Sequence, residues 1–166
     1  MNRLAILCAL LCVVATGCAR QTDEQHQLAD RTAIHEVMQK YVWSMDSLDA
    51  DGYVSVFTED AVIDSNGNIE TGHEAIRGVI TGLLARQEAN RAAGKPPGNL
   101  YHVISNETIS FQSATEATYQ SYWQTMRRNA EGRYIAGGFG RSEDHLVKQA
   151  DGRWLIHFRK LVVFTD

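Results

Sequence analysis

The sequence predicts an α+β domain: a cone-shaped, strongly bent antiparallel sheet wrapped around N-terminal helices, with an internal pocket. Three observations carry this. The first half of the chain repeats apolar residues at helical spacing. The second half is a run of long segments rich in β-branched and aromatic residues, separated by turn signals. Helices first and strands after is an α+β order. At 166 residues the chain suffices for one domain with a proper core.

From Leu28 to Leu48 the pattern is helical, with Ile34, Val37, Met38, Tyr41, Val42, Met45 and Leu48 on one stripe. Asp46 lies just beyond the edge of that stripe. Asp49 to Phe57 reads as a short helix with Tyr53, Val56 and Phe57 inward. Ala61 to Asp64 is a short strand, followed by Asn66-Gly67, a strong hairpin signal because both residues tolerate positive φ. Gly72 to Ala93 is helical through Ile76, Val79, Ile80, Leu83 and Leu84. The glycine- and proline-rich stretch Gly94 to Gly98 ends it. Strands are expected over Leu100–Phe111, Ala117–Arg128, Tyr134–Lys148 and Arg153–Phe164. Gly137, Gly138 and Gly140 interrupt the third of these, which predicts a bulge or bend.

The N-terminus follows a different logic. Arg3 precedes an apolar run, Leu4 to Ala15, that is short for a permanent membrane span. It ends in Ala15-Thr16-Gly17 before Cys18. This is the layout of a signal peptide over residues 1–17. A small residue directly before Cys18 also resembles a bacterial lipobox, which makes Cys18 a candidate lipidation site; cleavage without a lipid is the alternative. Cys8 and Cys12 would leave with the signal, so no intrachain disulfide or cysteine-based metal site is expected. Residues 18–27 read as a polar tether, and 28–166 as the domain. The expected location is the periplasm or cell envelope, with a lipid anchor. The full chain carries a net charge of −4, and no basic stripe that would suit nucleic acid.

Four stretches in order resemble the SnoaL-like domain of the nuclear-transport-factor-2-like superfamily. The first is Asp46-Ser-Leu-Asp49, followed by Phe57-Thr-Glu-Asp60-Ala61. The second is Gly72-His-Glu-Ala-Ile76, and the third is His102-Val-Ile-Ser-Asn106-Glu-Thr-Ile109. The fourth is Asp151-Gly152-Arg-Trp154 with Arg159 beyond it. Together they span Leu28 to the C-terminus. The nearest branch contains scytalone dehydratase and hexachlorocyclohexane dehydrochlorinase, both cofactor-free lyases. The resemblance implies that Asp46 and His102 pair, with His102 as the base and Asp46 fixing its tautomer. It places Arg159 beside the leaving group. Where the dehydrochlorinase has a Lys and a Cys, this chain has Tyr41 and Leu100, which speaks against dehalogenation. The dehydratase's second His has no counterpart in Met126-Arg127-Arg128.

Residue chemistry agrees with a dyad. Histidine titrates near neutrality and suits proton abstraction, and a carboxylate on its far nitrogen raises its basicity. Strand alternation puts Ile104 and Asn106 on the side of His102. Tyr41, Tyr53, Asn106 and Arg159 are the expected substrate contacts. Catalysis is the favoured reading of the pair, with ligand binding without chemistry and structural closure of the cavity as alternatives, and Arg159 could equally neutralise an acid on a neighbouring strand. The facing of Glu143, Asp144 and His145 stays open, because the upstream glycines blur the alternation. His73 and His157 are expected to point outward, and His35 to sit at a stripe edge. Trp43, Trp123 and Trp154 are assigned to the core or pocket wall. The histidines show no His-x-x-x-His spacing, and no metal is expected. The functional expectation is a cofactor-free lyase or isomerase acting on a small, mostly apolar molecule. The alternative is a non-catalytic ligand-binding or interaction module of the envelope. A homodimer or homotrimer is expected.

Overall fold

A computed structural model describes the backbone of residues 3–129 and 131–164, and the side chains of residues 25–129 and 131–164. The chain divides into two compact units, Met1–Ala33 and Ile34–Asp166. The described backbone of the first is helical, including the stretch expected to be a tether. The side chain of Cys18 lies outside the described residues, as do those of the expected signal peptide. No helix among the described residues is long and apolar enough to cross a membrane.

The order of elements is α1 (Arg3–Ser47), α2 (Ala50–Val54), β1 (Phe57–Ser65), β2 (Asn68–Thr71), α3 (Gly72–Ala92), β3 (Leu100–Phe111), β4 (Glu116–Arg128), β5 (Tyr134–Lys148) and β6 (Trp154–Val163). The six strands form one curled, unclosed sheet in the order β2-β1-β6-β5-β4-β3. β1–β2, β3–β4, β4–β5 and β5–β6 pair antiparallel and are joined by short turns, while α3 connects β2 at one edge to β3 at the other. The sheet is nevertheless mixed, because β1 pairs parallel with β6. These two strands are far apart in sequence and share no hairpin, so no turn imposes the antiparallel direction expected throughout. β1 is also longer than expected and starts at Phe57, directly after α2.

The alternation of the strands builds the core. Ala117, Tyr119, Ser121 and Thr125 of β4 are buried, as are Gly140, Ser142, Asp144 and Leu146 of β5. Trp154 and Ile156 of β6 join them. From α1 the buried residues are Ile34, Met38, Tyr41 and Ser44, and from α3 Ile76 and Ile80. Trp43 is 74% exposed, contrary to its assignment to the core. It lies on the opposite side of α1 from the buried stripe, where helical spacing carries it into solvent.

The expected turn at Asn66-Gly67 is present, with φ of 53° and 89° and Ser65 paired to Asn68. The expected irregularity in β5 is also present: the β4–β5 register shifts between Gln124 and Met126, opposite the glycines. There the indole of Trp123 packs close against Gly138 and Gly140. A Cβ on Gly140 would overlap the carbonyl oxygen of Val162 and lie 2.6 Å from the indole. Gly140→Ala should therefore destabilise the domain by about 1–3 kcal/mol, because neither a strand carbonyl nor a packed indole can yield. A lower urea midpoint at unchanged slope checks this.

Candidate functional site

The end of α1 sets the geometry. Leu48 adopts a positive φ of 58°, and its N–H donates to the carbonyl of Met45. The N–H of Asp49 returns to the carbonyl of Ser44. This stops the helix and frees Asp49 to cap α2, where its carboxylate accepts from the N–H of Gly52 at 3.0 Å. The two acids of the Asp-x-x-Asp stretch thus have separate tasks. Asp49 starts α2, while Asp46, one turn earlier, points at β3.

Asp46 grips His102 twice. One carboxylate oxygen lies 2.6 Å from the ring Nδ1, and the other accepts the backbone N–H of His102 at 2.9 Å. The side chains of His102 and Asp46 are 16% and 14% exposed. With both carboxylate oxygens accepting, the neutral imidazole is the tautomer with hydrogen on Nδ1. Its Nε2 then carries a lone pair.

Both residues border a cavity of about 310 Å³. Met45 and Leu48 of α1, Leu83 of α3 and Leu100 of β3 give it an apolar wall. Arg86, Gln87 and Asn90 of α3 and Asn99 of the following loop give it a polar rim.

The four other expected substrate contacts do not border this cavity. Asn106 lies at a bulge in β3, with φ of 54° and a β3–β4 register shift between Ser105 and Thr108. The bulge advances the alternation by one residue. Asn106 therefore joins Thr108, Gln120, Arg141 and Lys160 along a groove on the other face of the sheet. Glu107 takes the inward place and bonds Nδ1 of His35 on α1 at 2.8 Å. Sequence reasoning missed Glu107, because a bulge leaves no mark in simple alternation. The two acid–histidine pairs link α1 to β3 at matching intervals. His35 to Asp46 spans about 16 Å of helix, and His102 to Glu107 about 16 Å of strand.

Arg159 is buried, at 1% exposure, and pairs with Asp144 on β5 at 2.5 Å. Its guanidinium also lies 4.1 Å from the ring centroid of Tyr41. A second bulge places it there: the β5–β6 register shifts so that Leu146 faces Ile156 and Asp144 faces Arg159. Glu143 and His145 consequently face outward, 3.3 Å apart. Of the two roles open to Arg159, the geometry matches neutralisation of a neighbouring acid. Burial pushes the Asp144 carboxyl upward, against the pull of Arg159. Burial opposes the charge of Arg159 too, but Asp144, Tyr41 and Tyr53 outweigh it and raise its pKa. Tyr41 and Tyr53 are buried with ring centroids 5.2 Å apart. Burial, and then the neighbouring Tyr41, pushes the Tyr53 phenol well above its ordinary value. Tyr119 is also raised, by burial first and the Glu107 charge second.

His157 is exposed, as expected, beside Thr58 and Asp60. His73 is half-buried rather than exposed, because its Nε2 bonds the carbonyl of Phe57 at 3.1 Å. Among the described residues no cluster of three or more His, Cys, Asp or Glu could hold a metal ion.

The SnoaL-like domain profile matches residues 26–160, and the chain belongs to that family. Solved structures share the fold. A protein of unknown function from Mycobacterium tuberculosis is 23% identical, with a TM-score of 0.73 over 87% of this chain and 76% of the other. A candidate scytalone dehydratase from Novosphingobium aromaticivorans is 24% identical, with a TM-score of 0.69 over 85% and 88%. A nuclear-transport-factor-2-like protein with a cystatin-like fold, also from Novosphingobium aromaticivorans, is 21% identical, with a TM-score of 0.69 over 99% and 92%. At these identities the likeness shows the fold alone. No match was found among curated proteins.

Proposed function

We propose that the protein is a cofactor-free lyase or isomerase that uses the Asp46–His102 dyad on a small, mostly apolar molecule. The observation that carries this is the double contact of Asp46 with His102, at 2.6 and 2.9 Å, on the wall of a cavity. Nε2 of His102 removes a proton from a carbon next to a carbonyl, and the C–H electrons move onto the carbonyl oxygen as an enolate. Asp46 holds the proton on Nδ1 and stabilises the imidazolium. The enolate then collapses in one of two ways. In elimination its electrons form a carbon–carbon double bond, and a β-hydroxyl leaves as water with the proton from Nε2. In isomerisation the same proton returns to a different carbon. Either way the histidine ends neutral.

Solvent deuterium exchange tests this without knowledge of the natural substrate. A panel of small ketones, esters and hydroxy-carbonyl compounds in D₂O should show catalysed exchange at one carbon, followed by NMR. His102→Ala should slow it by about 10²–10⁴-fold, the usual contribution of a positioned base. Equal exchange by His102→Ala and the native protein would remove the dyad from the chemistry.

We further propose an exported, envelope location with Cys18 as a lipid anchor, and assembly as a homodimer or homotrimer. Arg3, the apolar run and the Gly17-Cys18 junction support the first. Exposed Tyr122, Phe139 and Phe164, with rings 5.3–6.2 Å apart, support the second.

A further inference from the structure

We infer that the cavity takes a carboxylate-bearing small molecule, and that Arg86 is the side chain that selects it. This rests on the cavity being the ligand site proposed above, and names the ligand's charge. The resemblance pointed to Arg159 as the cation, but Arg159 is buried and committed to Asp144. Arg86 is the cation that lines the cavity. It has no ion-pair or hydrogen-bond partner among the described residues.

The free hydrogen-bonding capacity of the rim is mostly on donors. Asp46 is spent, with both oxygens accepting from His102. The carbonyl oxygen of Gln87 accepts from Arg91, and its amide donates to Asn99 at 3.0 Å. Asn90 donates to the carbonyl of Pro97. What remains is the guanidinium of Arg86, the amide N–H groups of Asn99 and single N–H groups on Gln87 and Asn90, against two free acceptors, the amide oxygen of Asn90 and Nε2 of His102. A donor set centred on a planar guanidinium matches a carboxylate, which it can hold bidentately. The apolar wall of Met45, Leu48, Leu83 and Leu100 then receives the body of the ligand. The same cation would also stabilise the enolate that forms when His102 removes a proton.

Matched pairs of carboxylic acids and their carboxamides test this, because the two differ in charge and little in shape. Benzoate with benzamide, cinnamate with cinnamamide, and cyclohexanecarboxylate with its amide are titrated against the full chain by ligand-observed NMR. The acid of at least one pair should bind roughly tenfold more tightly than its amide at low salt, with the ratio shrinking as salt rises. Arg86→Gln should bring that ratio to about one, and Arg86→Lys should keep part of it. Equal binding of acid and amide overturns the inference. So does an acid preference that survives Arg86→Gln, or failure of every acid to bind at millimolar concentration. Deuterium exchange separates the two proposals. An acid preference that Arg86→Gln abolishes, beside exchange that His102→Ala leaves unchanged, would keep the ligand class and discard the base. Dyad-dependent exchange confined to neutral compounds would do the reverse.

Discussion

Asp144→Ala should lower stability by about 3–5 kcal/mol, the usual effect of leaving one member of a buried pair without its partner. The carboxylate is the only acid within hydrogen-bond distance of Arg159 among the described residues, and both residues are buried. Removing it leaves a guanidinium in the core facing the rings of Tyr41 and Tyr53, which cannot replace a counter-charge. For a domain of this length such a loss corresponds to a fall in melting temperature of about 10 °C or more. Asp144→Asn should cost less, because its amide oxygen still accepts from Nη1. The double replacement Asp144→Leu with Arg159→Met should recover much of the loss, since a buried pair exchanged whole for apolar groups is often neutral. Urea unfolding of the four proteins checks the order. A stability within 1 kcal/mol of the native protein for Asp144→Ala would show that Arg159 finds water in the core after all.

The buried pair also shows why the site was only partly legible in the sequence. The helices, the strand positions and the Asn66-Gly67 turn follow from local pattern, and β3 and β5 occupy the predicted residues. The contact of Asp46 with His102 followed from resemblance and a stripe-edge position. What escaped depends on non-local register. Counting inward from Trp154 and Ile156 puts Phe158 inside and Arg159 outside, but the β6 irregularity reverses this. The bulge at Asn106 likewise exchanges an amide for the carboxylate of Glu107. A bulge arises where two strands of unequal curvature must stay paired, and neither strand announces it alone. The parallel pairing of β1 with β6 is hidden for the same reason.

Arg86 was legible in principle. Val79, Leu83, Arg86 and Asn90 follow each other at four-, three- and four-residue spacing, so they share one row of α3. Polar residues that continue an apolar row mark where a helix passes from core to cavity rim. Here that transition falls between Leu83 and Arg86, beside the loop that contributes Pro97 to Asn99.

Asp46→Asn should abolish proton abstraction while leaving the fold intact, and it should do so by reversing the tautomer of His102. The carboxylate now receives two donors, the ring Nδ1–H and the backbone N–H. An asparagine offers one oxygen and one amide nitrogen, so it cannot accept both. The backbone N–H has no alternative tautomer and keeps the oxygen. The amide then donates to Nδ1, which must carry the lone pair, and the ring hydrogen moves to Nε2. The nitrogen facing the cavity becomes a donor and no longer a base. Turnover should fall by about 10⁴-fold, as when the orienting acid of a catalytic triad is replaced by its amide. Nitrogen chemical shifts of His102 should show the exchange of roles between the two ring nitrogens, with no substrate needed. Asp46→Ala makes the control. It leaves the backbone N–H without its acceptor, at a cost of about 1–3 kcal/mol, but does not force the tautomer. Asp46→Asn should therefore be the more stable of the two variants and no more active. If its ring nitrogens keep the native pattern, Asp46 does not set the tautomer, and the dyad is a structural clasp between α1 and β3.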